Sequence, residues 1–166
     1  EWRVVFGMRY TEDEVYSEVT NFYGREGTDI IETSSEKVTG RLVVEHDFNE
    51  STMAYGSYTR GFKPGGSNLT YGREDVVAPI VVLPTFEEEI VDAYEIGLKT
   101  DLADGRVRMN TAAFYYNYEG LQYQATDPEV FQGGVGNIPK SEIYGAELEL
   151  SALLSESLIL DVRLAW

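Results

Sequence analysis

The chain has 166 residues, 43% of them apolar, and its 13 basic and 29 acidic residues give a formal net charge of −16. This charge repels nucleic acid, which is therefore not an expected partner. The absence of cysteine excludes disulfides and thiol catalysis, and the single histidine, His46, excludes a multi-histidine metal site. No apolar run approaches the ~18 residues of a transmembrane helix, and no signal peptide opens the chain. Both ends fall within a repeating pattern, so we expect a piece of a larger protein.

Apolar and polar residues alternate with a period of two in five stretches, a pattern that predicts strands with two different faces. In chain order these stretches begin near Trp2, Lys37, Tyr94, Tyr144 and Leu158. Two more stretches, about 52–63 and 106–120, are aromatic and rich in β-forming residues. The sequence therefore predicts an all-β antiparallel up-and-down meander of about seven strands, without a helix.

Short and long connections alternate between these predicted strands. The short ones read FNEST, LADGR and LLSES, and they carry the Asn, Asp, Gly and Ser residues that tight hairpin turns use. The long ones are predicted as loops at about 19–36, 64–88 and 122–138. All short turns would then lie at one end of the meander, and all long loops at the other.

A soluble sandwich and a transmembrane barrel both contain such a meander. The apolar faces here extend over about 9–10 residues per strand, the length that a tilted strand needs to cross a bilayer. Aromatic residues stand at the ends of the apolar stretches, as in the aromatic girdles of membrane barrels: Trp2, Tyr10, Phe48 and Trp166. The opposite faces carry charges of both signs. These features favour a segment of a large transmembrane β-barrel.

The period of two also predicts which residues share a face. One face is expected to carry Ile96, Leu98, Leu148, Leu150, Leu160, Val162 and Leu164. The other face is expected to carry Glu95, Lys99, Glu147, Glu149, Asp161 and Arg163. In a barrel the first face meets lipid, and His46 falls on it near a short turn.

Four segments resemble the barrel of TonB-dependent outer-membrane receptors and follow one another in that family's usual order. They read WRVVFGMRYTED, MAYGSYTRGFKPGGSN, EEEIVDAYEIGLKTDLADGRVRMNTAAFYYNYEGLQ and NIPKSEIYGAELELSALLSESLILDVRLAW. The resemblance covers nearly the whole chain except the loops, and it implies a 22-stranded barrel closed by an N-terminal plug. We expect residues 1–166 to supply about seven strands from the later half of such a barrel. The plug, the TonB-contacting segment and a terminal strand ending in an aromatic residue are expected to be absent.

The resemblance implies a transport function and no enzymatic activity. The complete receptor would import a scarce ligand across the bacterial outer membrane with TonB coupling. The implied ligand is a ferric siderophore, with a glycan or cobalamin as other cargoes of the family. Its partners would be outer-membrane lipid, TonB and the transported small molecule, with no cofactor. The alternative is a soluble all-β module whose aromatic face stacks on carbohydrate.

Two groups of residues are candidates for the functional site. The lumen-facing candidates for ligand contact are Arg41, Glu45, Glu95, Lys99, Glu147, Glu149 and Arg163. The segment where a strand is expected to leave the bilayer consists of Arg60, Gly61, Phe62, Lys63, Pro64, Gly65 and Gly66. There, Pro64 lacks the N–H of a ladder donor, and the glycines permit a turn out of the sheet. Arg60 and Lys63 are expected to face either the lumen or the lipid headgroups.

Other motifs do not support a chemical site. The GGVGN stretch at 133–137 lacks the lysine and the strand–helix context of a phosphate loop. The DLADG stretch at 101–105 is better explained by a hairpin turn than by calcium binding. The acidic residues at 87–89 with Asp92 are interpreted as a solvated loop and not as a cation site. The apolar stretch at 76–84 contains two prolines, which argue against a central strand.

Overall fold

The computed structural model describes residues 1–20, 28–68, 85–127 and 132–166. Its strands are β1 (Trp2–Thr20), β2 (Thr28–Asn49), β3 (Thr52–Lys63), β4 (Gly66–Ser67), β5 (Thr85–Phe86), β6 (Glu89–Leu102), β7 (Val107–Asp127), β8 (Gln132–Ser155) and β9 (Leu158–Ala165). Across the described part of the chain, no helix has the length and apolar character needed to span a membrane.

Seven of the strands form one antiparallel sheet in the order β1-β2-β3-β6-β7-β8-β9. Strands β4 and β5 form a separate two-stranded ribbon inserted between β3 and β6. Each strand of the large sheet therefore pairs with its neighbours in sequence, apart from this insertion. The predicted meander of about seven strands is confirmed.

The three predicted short turns are confirmed at residues 50–51, 103–106 and 156–157, all at one end of the sheet. We call this the short-turn end and the opposite end the long-link end. Two of the predicted loops are shorter than expected. Strand β1 continues to Thr20 and β2 already begins at Thr28, while β7 continues to Asp127 and β8 begins at Gln132. Outside a bilayer both faces of a strand meet water. Hairpin pairing can continue there, but the sequence then lacks the apolar alternation that would predict a strand. The stretch at 76–84 lies outside the described residues.

The sheet is a single layer without a conventional core. Val43 and Ala152 are the only apolar side chains that are buried among the described residues. The accessible surface is 11662 Å², whereas a compact monomer of this mass would expose about 8,300 Å². The apolar residues of the large sheet are therefore not packed against a second layer in the described part of the chain, as a soluble sandwich would require.

The register confirms the two predicted faces, because directly opposite residues in an antiparallel pair point to the same side. On the first side, Leu98 pairs with Thr111, which pairs with Leu148, which pairs with Leu164. On the second side, the same four strands align Lys99, Asn110, Glu149 and Arg163. We call the first side the apolar face and the second the charged face.

Candidate functional site

The charged face carries three arginine–carboxylate pairs that lie towards the short-turn end or the β9 edge. Arg3 donates from Nε to Glu45 at 3.0 Å and from both terminal nitrogens to Asp47 at 2.5 and 3.2 Å. The other two pairs are Arg108 Nε to Asp101 Oδ1 at 2.9 Å, and Arg163 Nε to Glu149 Oε1 at 3.8 Å. Each pair joins adjacent strands, so these charges mainly stabilise the register.

Aromatic rings and carboxylates occupy the middle of the charged face. The Tyr55 hydroxyl donates to Glu95 at 2.7 Å, and Lys99 Nζ lies 5.5 Å from the centre of the Tyr55 ring. On the same face, the rings of Phe114 and Tyr116 are centred 5.0 Å apart. Neither Glu95 nor Glu147, which share this face, has an ion-pair partner among the described residues. This zone can therefore offer π surfaces and negative charge together.

All seven lumen-facing candidates share the charged face, as the register shows. Glu45 and Glu147 lie in one cross-strand row. The next row towards the short-turn end contains Lys99, Glu149 and Arg163, and the next two rows towards the long-link end contain Glu95 and then Arg41. Their surroundings differ, because Glu45, Glu149 and Arg163 are ion-paired whereas Arg41 and Glu147 are not, within the part of the chain that the structure describes. Contact of these residues with a ligand remains a prediction.

Strand β3 ends at Lys63, directly before Pro64. That the strand leaves the bilayer at this point stays a prediction. Arg60 and Lys63 lie on opposite faces, since Arg60 aligns with Asp92 on the apolar face and Lys63 aligns with Glu89 on the charged face. Gly61 and Phe62 are the preceding strand residues, opposite Val91 and Ile90.

The chain leaves the large sheet at the two glycines of this segment to form β4, and both glycines allow close packing there. Gly65 and Gly66 are not among the residues with positive φ. A Cβ on Gly65 would lie 2.6 Å from the Phe86 carbonyl oxygen, and one on Gly66 would lie 2.7 Å from the Phe86 ring. Only glycine lets β4 approach β5 so closely.

Residues 64–68 and 85–88, which we call the strap, are attached to the charged face at the long-link end. The Gln122 side chain donates to two strap carbonyls, at 2.8 and 3.0 Å. Asn137, directly opposite Gln122, donates to the Glu87 carbonyl at 2.9 Å and accepts from the Glu87 N–H at 2.7 Å. Two amide side chains thus satisfy backbone groups of the strap that no sheet ladder reaches.

The strap also contacts strands on either side of its attachment point. Asn68 exchanges two hydrogen bonds with the backbone of Val135 in β8, at 2.9 and 2.8 Å. Glu88 forms an ion pair with Lys37 of β2, with Nζ and Oε1 2.5 Å apart. The strap therefore crosses the charged face from β2 to β8.

The contact between the strap and Gly120 leads to a testable prediction. Gly120 has φ +66°, and a Cβ there would collide with the Glu88 carbonyl oxygen. Gly105, at a short turn, has φ +81° and nothing within 4 Å of its Cβ position. Both Gly→Ala substitutions should cost about 1–2 kcal/mol for the left-handed backbone, but only Gly120→Ala should also displace the strap.

Limited proteolysis of the intact receptor measures this difference. Gly120→Ala should speed cleavage within the strap, whereas Gly105→Ala should leave strap cleavage at the wild-type rate. Equal cleavage of the two variants would contradict the proposed contact between Gly120 and Glu88.

Four tyrosines form one cross-strand row on the apolar face. Tyr58 aligns with Tyr94, Tyr94 with Tyr115, and Tyr115 with Tyr144. The first two ring centres are 5.1 Å apart and the next two 6.5 Å apart. Towards the short-turn end, His46 lies on the same face as predicted, with its ring 4.2 Å from that of Trp2. The tyrosine row separates the apolar side chains towards the short-turn end from the charged side chains towards the long-link end.

Charged residues follow this tyrosine row towards the long-link end. Arg60 Nη1 lies 3.4 Å from Asp92 Oδ2, and Lys140 Nζ lies 2.9 Å from Glu142 Oε1. Lys140 and Glu142 lie beyond the apolar part of β8. The hydrogen bond that Lys140 donates lowers the pKa of the Glu142 carboxyl below its usual value. Tyrosines beside charged groups are typical of the membrane–water interface, where one end of the ring is apolar and the other is wet.

No cluster of three or more metal-ligating side chains occurs in the described ranges. The acidic residues at 87–89 are separated in the structure, because Glu88 pairs with Lys37 and Glu89 accepts from the Gln122 N–H at 2.7 Å. Their interpretation as a solvated acidic loop is therefore wrong for Glu88 and Glu89, which are held by neighbouring strands.

Sequence reasoning missed two kinds of residue that shape this site. The rings of Tyr55, Phe114 and Tyr116 on the charged face could have been found from the period of two alone. The amide anchors Gln122 and Asn137 had no such signal, because they meet the strap only after the chain has folded.

A single-layer antiparallel sheet with an exposed apolar face, a tyrosine row and a charged opposite face is the wall of a transmembrane β-barrel. Residues 1–166 match the sequence model of the family described as "TonB dependent receptor-like, beta-barrel", and the chain belongs to this family. Its members are bacterial outer-membrane transport receptors and not enzymes.

Three similar proteins illustrate the relationship. The metal-pseudopaline receptor CntO of Pseudomonas aeruginosa is 25% identical over 161 residues, covering 95% of this chain and 20% of the receptor. The ferric yersiniabactin uptake receptor FyuA of Yersinia pestis is similar in structure, with a TM-score of 0.72 and 21% identity over 98% of this chain and 23% of that chain. The siderophore receptor PiuA of Acinetobacter baumannii has a TM-score of 0.67 and 19% identity, covering 99% of this chain and 23% of that one. The chain thus spans about a fifth of the length of these receptors.

Proposed function

We propose that this chain is part of an outer-membrane receptor that imports a metal chelate, specifically a ferric siderophore, with TonB coupling. The observation that carries the proposal is that the similar proteins named above are receptors for metal chelates or siderophores. The carbohydrate-binding alternative is not favoured, because its soluble sandwich needs a second layer over the apolar face.

In this proposal the two faces of the sheet meet different environments. The apolar face meets outer-membrane lipid, with the tyrosine row at an interface. The charged face lines the lumen, where its rings and charges contact the cargo or the plug. The strap, attached to β2, β7 and β8, lies across the lumen mouth at the long-link end.

Uptake by the intact receptor tests the proposal. A strain that lacks the receptor gene should lose growth on at least one ferric siderophore under iron limitation, and the wild-type gene should restore it. The same restoration should fail in a strain without TonB. Normal growth of the deletion strain on every ferric siderophore, together with loss of cobalamin or glycan import, would contradict the metal-chelate proposal.

A further inference from the structure

Most cationic side chains of the charged face have a partner, which makes the exceptions informative. Arg3, Arg108 and Arg163 each pair with a carboxylate, and so does Lys37. Lys99 lies over the Tyr55 ring. Three of the five described arginines on this face are thus neutralised by an acid on an adjacent strand.

Arg9 of β1 and Arg41 of β2 are different. Neither has an ion pair or a hydrogen-bonded side-chain partner in the part of the chain that the structure describes, and both are exposed. Arg9 aligns with Thr39, and Arg41 aligns with Gly7 on one side and Thr59 on the other. Within the described sheet, where β1 is an edge strand, the one residue opposite Arg9 and the two opposite Arg41 are all neutral.

The two arginines are neighbours on the sheet. Because Gly7 is opposite Arg41, Arg9 is its diagonal neighbour, at a Cα separation of roughly 7–8 Å. A Cβ on Gly7 would have nothing within 4 Å, so the surface between them is open. Thr39 and Thr59 occupy the positions opposite Arg9 and Arg41 and add hydrogen-bonding capacity.

Their position along the strands suits an incoming ligand. Arg9 precedes Tyr10, where the apolar stretch of β1 ends towards the long-link end. Lys37, held by the strap through Glu88, follows on the same face. In a chain of net charge −16, an anion approaching this end is repelled by most of the surface, so local unpaired cations decide whether it binds.

We propose that Arg9 and Arg41 bind free carboxylate groups of the cargo, and that the cargo is therefore an anionic metal chelate. The planar guanidinium donates two parallel hydrogen bonds to the oxygens of a carboxylate, a bidentate geometry that lysine cannot reproduce. This inference rests on the proposed function and adds the charge class of the substrate.

Binding to the intact, purified receptor tests the inference, with ferric citrate as an anionic carboxylate probe and ferrichrome as a neutral hydroxamate probe. We expect tighter binding of ferric citrate, weakened by salt. Arg9→Gln and Arg41→Gln should each weaken it by about tenfold or more, the effect of losing one charged hydrogen-bonding partner. Arg41→Lys should weaken it less than Arg41→Gln because the charge remains.

Arg108→Gln is the matched control, because it removes a paired arginine from the same face near the short-turn end. It should leave the affinity for ferric citrate unchanged, and circular dichroism should show that every variant is folded. Preference for ferrichrome, binding of neither probe, or equal affinity of the wild type and both glutamine variants would overturn the inference. The growth assay on siderophores would still decide the proposed function separately, since it does not depend on these probes.

Discussion

The chain on its own, separated from the rest of its barrel, is expected to associate through its apolar face when detergent is withdrawn. Trp2 is 68% exposed, Phe6 and Met8 are each 71% exposed, and Trp166 is 84% exposed. A soluble monomer rarely tolerates a continuous apolar patch of more than a few hundred Å². Strands β1 and β9 also form the edges of the sheet and can pair with another chain.

The driving force for this association is large. Burial of about 1,000 Å² of apolar surface would contribute roughly 25 kcal/mol before ordering costs. Light scattering of the purified chain should therefore show oligomers or aggregates without detergent, and a hydrophobic dye should bind. A monodisperse monomer that binds no dye would contradict both this prediction and the assignment of the apolar face to lipid.

Leu148→Arg in the intact receptor is expected to lower the free energy of unfolding in membranes by about 2–4 kcal/mol, the cost of an arginine at mid-bilayer on a barrel's lipid face. Leu148 aligns with Thr111 and Leu164, in the middle of the apolar face. Denaturant-induced unfolding in lipid vesicles measures the difference.

Glu147→Gln is the matched control, because Glu147 is adjacent in sequence but lies on the charged face. We expect it to leave stability close to that of the wild type and to change transport, since the carboxylate has no ion-pair partner among the described residues. If both substitutions left folding in membranes unchanged, the assignment of the two faces to lipid and lumen would be wrong.

The facing of the strands could be predicted from sequence because it depends on local geometry. Successive residues of a strand point to opposite sides, so alternation such as that around Leu148 and Glu147 assigns each residue to a face. The short turns were equally predictable, since Asn, Asp and Gly are required by local backbone conformation. Gly105, with φ +81°, is an example.

Strand length was not predictable outside the apolar stretches. Around Tyr16 and Glu32, which align in the extended β1–β2 hairpin, both faces carry polar residues and the alternation disappears. Pairing continues there because backbone hydrogen bonds do not require an apolar face.

The amino-acid sequence by itself determined the number and order of the large sheet's strands, their faces and the family, because all of these are encoded by patterns along the chain. Only the tertiary structure decided which cations are neutralised. Arg3 of β1 forms an ion pair with Asp47 of the adjacent strand β2, whereas Arg9 and Arg41 have only neutral residues directly opposite. The attachment of the strap by Gln122 and Asn137 likewise depends on contacts between residues far apart in sequence. Such contacts depend on the register of the strands and on the path of the strap over the sheet, which a single sequence does not specify residue by residue.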